Sequence, residues 1–313
     1  TLTRQNPDYT YMAIDGTENC MAALRDAVAG KLEGCFVEMN FCTGSCIGGP
    51  DFRKHARSLA ASALQVEKAA VEQGAGEEGA PDFPQTKPCA LDVELAGIKN
   101  MMADISEEKI SGVTFICGTL EGKKAVAAEC GVGKVFAAIC AEAMILKYRP
   151  EIIINSGVAG GLSKTLSISD AAIATDAVEH DMDSSALGDP VGMISGINII
   201  KLPCDEYAVK LLLGAAKDLG IHAEVGTIAS GDKFIASDSD RERIRQNFGA
   251  IACEMEGASI AHVCYVNSVR CAILRTVSDG GDDSAAKDFP AFCEKAAVQS
   301  QKIIKRFVRD FND

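Results

Sequence analysis

Two acidic segments in the second half of the chain place carboxylates where an apolar strand gives way to the next element. One is Cys253-Glu-Met-Glu-Gly257, and the other is Leu274-Arg-Thr-Val-Ser-Asp279, which continues into a Gly-Gly turn. A carboxylate at such a position costs folding free energy unless it is paired or used. Each acid alone has an ordinary explanation, because Glu256 opens a helix and Asp279 precedes a turn. Together they indicate one site that needs a hydrogen-bond acceptor and a proton donor.

Other segments that follow apolar runs could also contact a ligand. Asn155-Ser-Gly-Val-Ala-Gly-Gly-Leu162 reads as a strand entering a small-residue turn, and its glycines let a ligand approach the backbone. It has neither the Lys-Ser/Thr ending of a phosphate-binding loop nor the glycine spacing of a dinucleotide site. Phe234, at a strand end, can stack on a flat heterocycle, although a core Phe is the more frequent case. Glu94 has an ordinary position for an acid at the start of a helix. None of these segments decides the function alone.

The elements that position these residues alternate strand and helix after residue 88. Strands are predicted at 113–117, 125–129, 152–155, 171–175, 198–201, 223–229, 251–253 and 271–277, and helices at about 92–104, 134–147, 205–219, 238–247, 255–266 and 288–311. Apolar strands interleaved with helices are typical of a mostly parallel sheet that is covered on both faces. The sequence therefore predicts an α/β fold with a mixed, mostly parallel central sheet flanked by helices, and a small α/β extension at the amino terminus.

Composition and charge narrow the classes of partner. The chain has 313 residues, 47% hydrophobic and 24% charged, which fits an ordinary globular protein. A formal net charge of −13 argues against nucleic acid and against an anionic membrane surface. No apolar run approaches the roughly 20 residues that cross a bilayer. The amino terminus lacks a signal-peptide pattern, and its start at Thr1 predicts that something upstream has been lost. We therefore expect a cytoplasmic protein with a small-molecule partner.

A break at residues 73–88, with three Pro and three Gly, predicts a linker between a part at 1–72 and a part at 89–313. The first part shows a helical pattern near 16–29, a strand at 35–39 and a long amphipathic helix at about 51–71. Most of the cysteines stand singly in apolar runs, for example Cys117, Cys130, Cys140, Cys264 and Cys271. In a reducing compartment such thiols behave as small core side chains.

The order of motifs in the second part resembles the nucleoside phosphorylase/nucleosidase superfamily, and within it the 5′-methylthioadenosine/S-adenosylhomocysteine nucleosidases. The resemblance covers about residues 89–313 and rests on Ala90-Leu-Asp-Val-Glu94, Gly131-Val-Gly-Lys134, Asn155-Ser-Gly-Val-Ala-Gly-Gly-Leu162, His180-Asp-Met-Asp183, Ser230-Gly-Asp-Lys-Phe-Ile235, Glu254-Met-Glu256 and Arg275-Thr-Val-Ser-Asp279. It implies a nucleoside phosphorylase-like fold and cleavage of the N-glycosidic bond of an adenosine-type nucleoside, with release of adenine.

The resemblance also implies residue roles. Asp279 would be the general acid that protonates the purine N7, with Ser278 orienting it, and Glu94 would activate the attacking water near Arg275. Glu256 would hold the ribose hydroxyls. The remaining positions implied to contact substrate are Met255 against the ribose, Phe234 stacked on adenine, Ile235 reading the adenine edge through its backbone, and Val158, Ala159, Gly160, Val132, Leu91 and Phe289. No cofactor or metal is expected, and the family implies a homodimer.

Water and phosphate compete as the nucleophile. A phosphorylase has to bind a phosphate dianion, normally with Arg and backbone N–H groups. The turns at 131–133 and 157–158 supply apolar side chains instead, which leaves Arg275 as the main cation and favours hydrolysis. Purine nucleoside phosphorolysis remains the alternative. The loop Leu187-Gly-Asp-Pro190 would lie near the 5′ substituent, where methylthio, homocysteinyl and 5′-deoxyadenosine substrates stay undistinguished.

Residues about 10–72 resemble the end of an iron-only hydrogenase catalytic domain. The likeness rests on Gly16-Thr-Glu-Asn-Cys20 and on the segment from Phe36 to Pro50, in which Cys42 and Cys46 are weak candidate ligands of an iron–sulfur centre. Two thiolates do not complete a cluster, so an inert remnant or fusion partner is favoured. The alternative is a redox or sensory module fused to an inactive nucleosidase-like domain.

The join between the two parts departs from the family pattern. In the family an apolar first strand immediately precedes the equivalent of Ala90, whereas here that place holds Phe83-Pro-Gln-Thr-Lys-Pro88. Proline is disfavoured in a central strand because it removes a ladder donor. Either another segment fills the place or the sheet is damaged there, which leaves a binding domain without turnover as a third interpretation. Glu94 is the site residue that this join could disable.

Overall fold

The computed structural model describes residues 10–15, 23, 26, 35–40, 90–280 and 285–312. The chain divides into two compact units, Thr1–Gln85 and Thr86–Asp313. In the first unit, β1 (Thr10–Asp15) pairs in parallel with β2 (Cys35–Asn40). The strand predicted at 35–39 is thus confirmed, whereas β1 was not predicted. The helix predicted at 51–71 and both Cys42 and Cys46 lie outside the described residues.

The second unit alternates helices and strands over most of its length. Its elements are α1 (Ala90–Met101), β3 (Ala103–Ile110), β4 (Val113–Leu120), β5 (Lys123–Ala128), α2 (Lys134–Tyr148), β6 (Ile152–Gly161), β7 (Ala171–Glu179), a 3₁₀ turn (Ser185–Leu187), β8 (Leu202–Pro203), α3 (Glu206–Asp218), β9 (Ala223–Ser230), α4 (Asp238–Phe248), β10 (Ala252–Glu254), α5 (Gly257–Val266), β11 (Arg270–Asp279) and α6 (Ala285–Asp310).

Among the described residues, six strands form the central sheet in the order β11-β6-β10-β9-β7-β8. The pairs β6–β11, β9–β10 and β7–β9 are parallel, while β6–β10, β7–β8 and β7–β11 are antiparallel. The β7–β11 pair joins the end strand back to the other half, so the sheet partly closes on itself. The sheet is therefore mixed, and the expectation that it is mostly parallel is not confirmed.

A separate antiparallel sheet, β3-β4-β5 in the described part of the chain, holds the strand that the sequence interpretation missed. The helix predicted at 92–104 ends earlier, and Ala103–Ile110 is a strand instead. Most residues of this strand are exposed and several are charged, so its sequence does not show the alternation of apolar and polar residues that predicts a strand. The signal lay in the turns, because Ser111-Gly112 and Glu121-Gly122 both have positive φ at two successive residues, as tight hairpin turns require.

The strand predicted at 198–201 is also wrong. Asn198 has a φ of 58°, and Ile199 makes an isolated bridge with Ile194. The neighbouring strand β8 is Leu202–Pro203, which pairs with β7. A short apolar run does not distinguish a strand from a turn whose side chains pack into the core.

Helices cover the central sheet on both faces. Alternate residues of β11 point to opposite layers: Cys271 and Ile273 pack in the cluster that includes α2 and α5, whereas Ala272 and Leu274 pack with α3 and α6. Of the predicted core thiols, Cys140, Cys264 and Cys271 are buried, and Cys117 and Cys130 are half-buried. Among the described helices, none combines the length and apolar character that crossing a membrane requires.

Candidate active site

The guanidinium of Arg275 lies at the centre of the candidate site. Arg275 is only 2% exposed, and it donates hydrogen bonds to Asn155 Oδ1 and to Glu254 Oε2. Its Nη2 is also 3.7 Å from Glu256 Oε2. The parallel register of β6 and β11 sets Arg275 opposite Gly157, where a Cβ atom would collide with the guanidinium. A buried charge is tolerated only when it is paired, so this arginine organises the carboxylates around it.

Glu254 is a carboxylate with a supporting role. It accepts hydrogen bonds from Ser230 Oγ and from Arg275, and from the backbone N–H groups of Glu256 at 3.0 Å and Gly257 at 2.8 Å. These bonds fix the turn from β10 into α5. The sequence motif contained Glu254, but the structure distinguishes it from Glu256, because its oxygens are occupied by the protein itself.

Glu256 lies at the start of α5 and faces the turn that follows β5. It is buried, and its Oε1 accepts a hydrogen bond of 2.9 Å from the backbone N–H of Gly133. Burial raises the pKa of Glu256, and the charge of Glu254 adds to this effect while the charge of Arg275 opposes it. The structure thus places the predicted ribose-binding carboxylate beside the predicted turn at 131–133.

Glu94, on α1, is buried and is held from α6. Its Oε1 accepts a 2.5 Å hydrogen bond from Ser300 Oγ. Burial raises the pKa of Glu94 above its ordinary value, and the hydrogen bonds from Ser300 and Ser156 and the charge of Arg275 partly offset that rise. A carboxylate with a raised pKa is a stronger base, which suits the activation of water. Ser300 was not predicted, because an isolated serine far along the chain carries no sequence signal.

Asp279 ends β11 and is only 2% exposed. Ser278 Oγ donates to Asp279 Oδ2 at 2.8 Å and lies 3.4 Å from the carbonyl oxygen of Ala159. The pairing of β11 with β6 shifts register between Val277 and Asp279, so that Asp279 lies opposite Gly160. Such irregularities often redirect a side chain at a site. The predicted Ser278–Asp279 pair is therefore in contact, on the same strand as Arg275.

The predicted binding positions occupy several environments. Phe234 is 42% exposed, so its ring is not part of the core. Ile235 packs its side chain into the core with Leu162 and Ile244, which leaves its backbone for recognition. The remaining positions are Val132, which is 56% exposed, Met255 and Val158, which are half-buried, and Ala159 and Gly160, which are buried in β6. Leu91 and Phe289 lie in α1 and α6, and their side chains are outside the described residues.

A second polar cluster joins three of the sequence motifs. Lys134 Nζ lies 2.7 Å from Asp181 Oδ1 and 3.2 Å from Glu179 Oε2. Asp232 Oδ1 accepts from the backbone N–H of Lys134 at 2.7 Å, and its own N–H donates to Asp181 Oδ2 at 2.9 Å. The sequence motifs contained Lys134, Asp181 and Asp232 without giving them a role. Their bonds hold the loop that carries Phe234 against the turn that contacts Glu256.

The described part of the chain does not bring together residues that could bind a metal ion. In that part, His, Cys, Asp and Glu side chains form no group of three or more placed to hold a metal ion. The chemistry available is that of buried carboxyls around one guanidinium. Such an arrangement can donate a proton, accept a proton and stabilise positive charge between carboxylates.

Comparison with known families gives two matches along the chain. The phosphorylase superfamily matches residues 89–309, and the C-terminal domain of the iron only hydrogenase large subunit matches residues 2–50. The resemblances drawn from the motifs in the two parts of the sequence agree with these matches, and that of the second part is confirmed at the level of the superfamily.

Individual relatives agree with the first match. The chain is 35% identical over 220 residues to a 5′-methylthioadenosine/S-adenosylhomocysteine nucleosidase of Staphylococcus aureus (strain JH9), covering 70% of this chain and 96% of the relative. A Neisseria meningitidis nucleosidase of the same name, solved with methylthio-immucillin-A, has a TM-score of 0.68 and 32% identity, covering 70% of this chain and 96% of that one. The futalosine hydrolase of Helicobacter pylori strain 26695 has a TM-score of 0.68 and 36% identity, with coverages of 70% and 94%.

Proposed function

Because the chain belongs to the phosphorylase superfamily, and within it to the 5′-methylthioadenosine/S-adenosylhomocysteine nucleosidases, we propose that it hydrolyses the N-glycosidic bond of a 5′-substituted adenosine and releases adenine. The observation that carries this proposal is the arrangement of buried acids. Glu94 and Glu256 both lie within the field of Arg275, and Asp279 ends the same strand. Hydrolysis of a nucleoside needs these three functions: a base for water, an acceptor for the sugar and an acid for the purine.

Asp279 is proposed as the acid that protonates the purine N7. Adenine leaves poorly as an anion, so a proton delivered to the base as the bond breaks lowers the barrier. The hydrogen bond from Ser278 Oγ to Asp279 Oδ2 supports this role, because it holds one oxygen and sets the direction of the other. Phe234, exposed on the neighbouring loop, is the proposed stacking partner of the base, and the Ile235 backbone reads its edge.

Glu256 is proposed to bind the ribose hydroxyls, with Met255 against the sugar. Breaking the C–N bond builds positive charge on the ribose, which a nearby carboxylate stabilises. The hydrogen bond from Gly133 holds one oxygen of Glu256 in place. This preorganisation supports its assignment, because the carboxylate does not have to reorient during the reaction.

Glu94 is proposed to activate the attacking water. Burial raises the pKa of Glu94, which supports its role as the base, because a carboxylate with a raised pKa takes a proton from water more readily. Ser300 fixes Oε1, which leaves the direction of Oε2 defined by the carboxyl plane. Arg275 contributes positive charge on the same side, which favours the ionised form of Glu94.

Phosphate is a poor alternative nucleophile at this site. Arg275, the cation that a phosphate would need, is buried and donates to Asn155 and Glu254. Lys134 is likewise paired with Glu179 and Asp181. A phosphate dianion would have to compete with these carboxylates for both cations. The pairing supports water as nucleophile over phosphorolysis.

We assign residues 89–313 to the catalytic domain, 73–88 to a linker and 1–72 to a hydrogenase-like remnant, and we place the enzyme in the cytoplasm, in methionine salvage. Apolar side chains on α2 and α5 are exposed, which supports a homodimer: Val135, Phe136, Ile139, Tyr265 and Val266. Leu187, 87% exposed in the loop at 187–190, would reach the 5′ substituent in the partner's site.

The test is adenine release by the full chain in buffer free of phosphate. Methylthioadenosine, S-adenosylhomocysteine, 5′-deoxyadenosine and adenosine are compared at equal concentration. We expect release from at least one of the four at a rate that added phosphate leaves unchanged. A chain that binds these nucleosides without releasing adenine would instead be a binding domain.

A further inference from the structure

In the described part of the second unit, each of the two sheets has an unpaired strand edge that lines the same cavity. β5 pairs with β4 on one side, and β6 pairs with β11 along most of its length. On its other side β6 pairs with β10 at Gly160 and Gly161, beyond the Ile152–Asn155 stretch. Within the described residues, the second edge of β5 and this stretch of β6 have no strand partner. Unpaired backbone edges of this kind are templates for another strand.

A cavity of about 940 Å³ lies between these two edges. Its walls include the whole of β5 and residues 152–156 of β6. It also reaches both helical layers, touching Cys140, Ala141 and Met144 of α2 on one face and Ile98, Ile304 and Phe307 of α1 and α6 on the other. A central strand of a sheet would likewise border two strand edges and contact the helices on both faces, so the cavity has the position of a missing strand. We call it the β5–β6 cleft.

Both edges of the cleft run toward the candidate site. β5 leads into the turn whose Gly133 N–H bonds Glu256, and β6 carries Asn155, which bonds Arg275. The two strands therefore have the same direction. A strand between them would pair in parallel with both and would join the two sheets.

We propose that the β5–β6 cleft binds an extended aliphatic peptide strand supplied by another polypeptide. The two open edges need alternating N–H and C=O groups on both sides, which an extended peptide provides and a compact small molecule does not. The side chains of α2, α1 and α6 named above are apolar, so the strand takes Val or Ile at successive positions, as central parallel strands do. The aliphatic character of the peptide is inferred from the residues that line the cleft and does not depend on the proposed reaction.

Charge at one end of the cleft fixes the first residue of the partner strand. Lys123 begins β5, at the end remote from the turn at 131–133, and its buried Nζ has no hydrogen-bond partner among the described residues. A parallel strand would begin at this end. An acidic first residue would pair with Lys123, and an unpaired buried ammonium is otherwise costly.

Occupation of the cleft bears on catalysis through Glu94. Glu94 and Ser300 both line the cleft at the end near Asn155. A bound strand would pack against α1 and limit its movement relative to β6. The resulting gain in hydrolysis rests on the proposed function, whereas the binding step does not.

The experiment uses the full chain and a labelled peptide of about six residues, Glu first and then alternating Val and Ile, with both ends blocked. Binding is followed by fluorescence anisotropy, and hydrogen exchange is measured for β5 and β6. We expect saturable binding, slower exchange in Lys123–Ala128 and at residues 152–156, and on the order of a tenfold rise in adenine release. No binding, or binding without protection of these two strands, overturns the proposal.

Matched controls separate strand pairing from apolar adhesion. A peptide with the same side chains but N-methylated at alternate residues loses the donors for one edge, and we expect at least about tenfold weaker binding. Equal binding of both peptides overturns the proposal. Lys123→Met should abolish the preference for an acidic first residue, whereas Lys124→Met at the exposed neighbour should keep it. A preference that survives Lys123→Met contradicts the parallel placement.

The two proposals fail differently. Strand binding with protection but no hydrolysis under any condition rejects the proposed function and supports the peptide site. Hydrolysis that the bound peptide leaves unchanged overturns the coupling to Glu94.

Discussion

The two sides of β6 hold the two halves of the proposed reaction by different means. On one side, β11 pairs with β6 over nearly its whole length and carries Arg275, Ser278 and Asp279. On the other side, Glu94 comes from α1 and is held by a hydrogen bond from Ser300 of α6, and both residues line the β5–β6 cleft. Backbone pairing fixes the acid half to a sheet, whereas side-chain contacts fix the water half. The position of Asp279 is therefore set by the strand pairing of the sheet, whereas the position of Glu94 depends on how α1 packs against α6.

The largest expected effect lies in the acid half. Asp279→Asn keeps the size of the side chain but cannot deliver the same proton, so we expect adenine release to fall by about 10²–10⁴-fold. The measurement is steady-state adenine release from methylthioadenosine, with thermal unfolding as a check on folding. Full activity in the folded variant would remove Asp279 as the acid.

In the water half, Glu94→Gln should lower the rate by on the order of 10²-fold while leaving nucleoside binding nearly unchanged. Because the base works only when ionised and burial raises its pKa, wild-type activity should fall with decreasing pH above the ordinary range of a Glu. This acid limb should be absent in Glu94→Gln. If activity of the variant still falls with decreasing pH in the same range, the titrating group is not Glu94.

Ser300→Ala tests the helix-borne support of Glu94. The hydrogen bond from Ser300 lowers the pKa of Glu94, so its removal should raise that pKa further and move the acid limb of the rate to higher pH. At the acid end of the profile we expect on the order of tenfold less activity. A lower rate with an unmoved limb would mean that Ser300 supports folding alone.

The smallest expected effect concerns stability on the β11 side. Gly157→Ala places a Cβ against the Arg275 guanidinium, which should reduce the free energy of unfolding by about 1–3 kcal/mol. Gly214→Ala in α3 is the matched control, because its Cβ would meet nothing within 4 Å and alanine favours the helix by roughly 0.5–1 kcal/mol. Chemical denaturation measures both. If Gly157→Ala were no less stable than Gly214→Ala, Arg275 would be able to move aside for the added methyl group.

The sequence predicted the parts of the site that belong to short motifs at strand ends. Glu256 and Asp279 were predicted as site residues because an acid after an apolar strand is unusual, whereas Ser278 and the roles of all three come from the family resemblance and stay proposals. Ser300 and the separate role of Glu254 could not, because they depend on contacts between distant elements. The exposed strand β3 was missed since its charges hide its alternation, and the turn at 198–201 was misread because its apolar residues serve the core.

Isotope incorporation tests the central claim most directly. The full chain is incubated with its best 5′-substituted adenosine in H₂¹⁸O containing phosphate, and the released sugar is analysed by mass spectrometry. We expect one ¹⁸O atom at the anomeric carbon and no sugar phosphate. A sugar 1-phosphate without ¹⁸O at that carbon would show that phosphate, and not water, is the nucleophile.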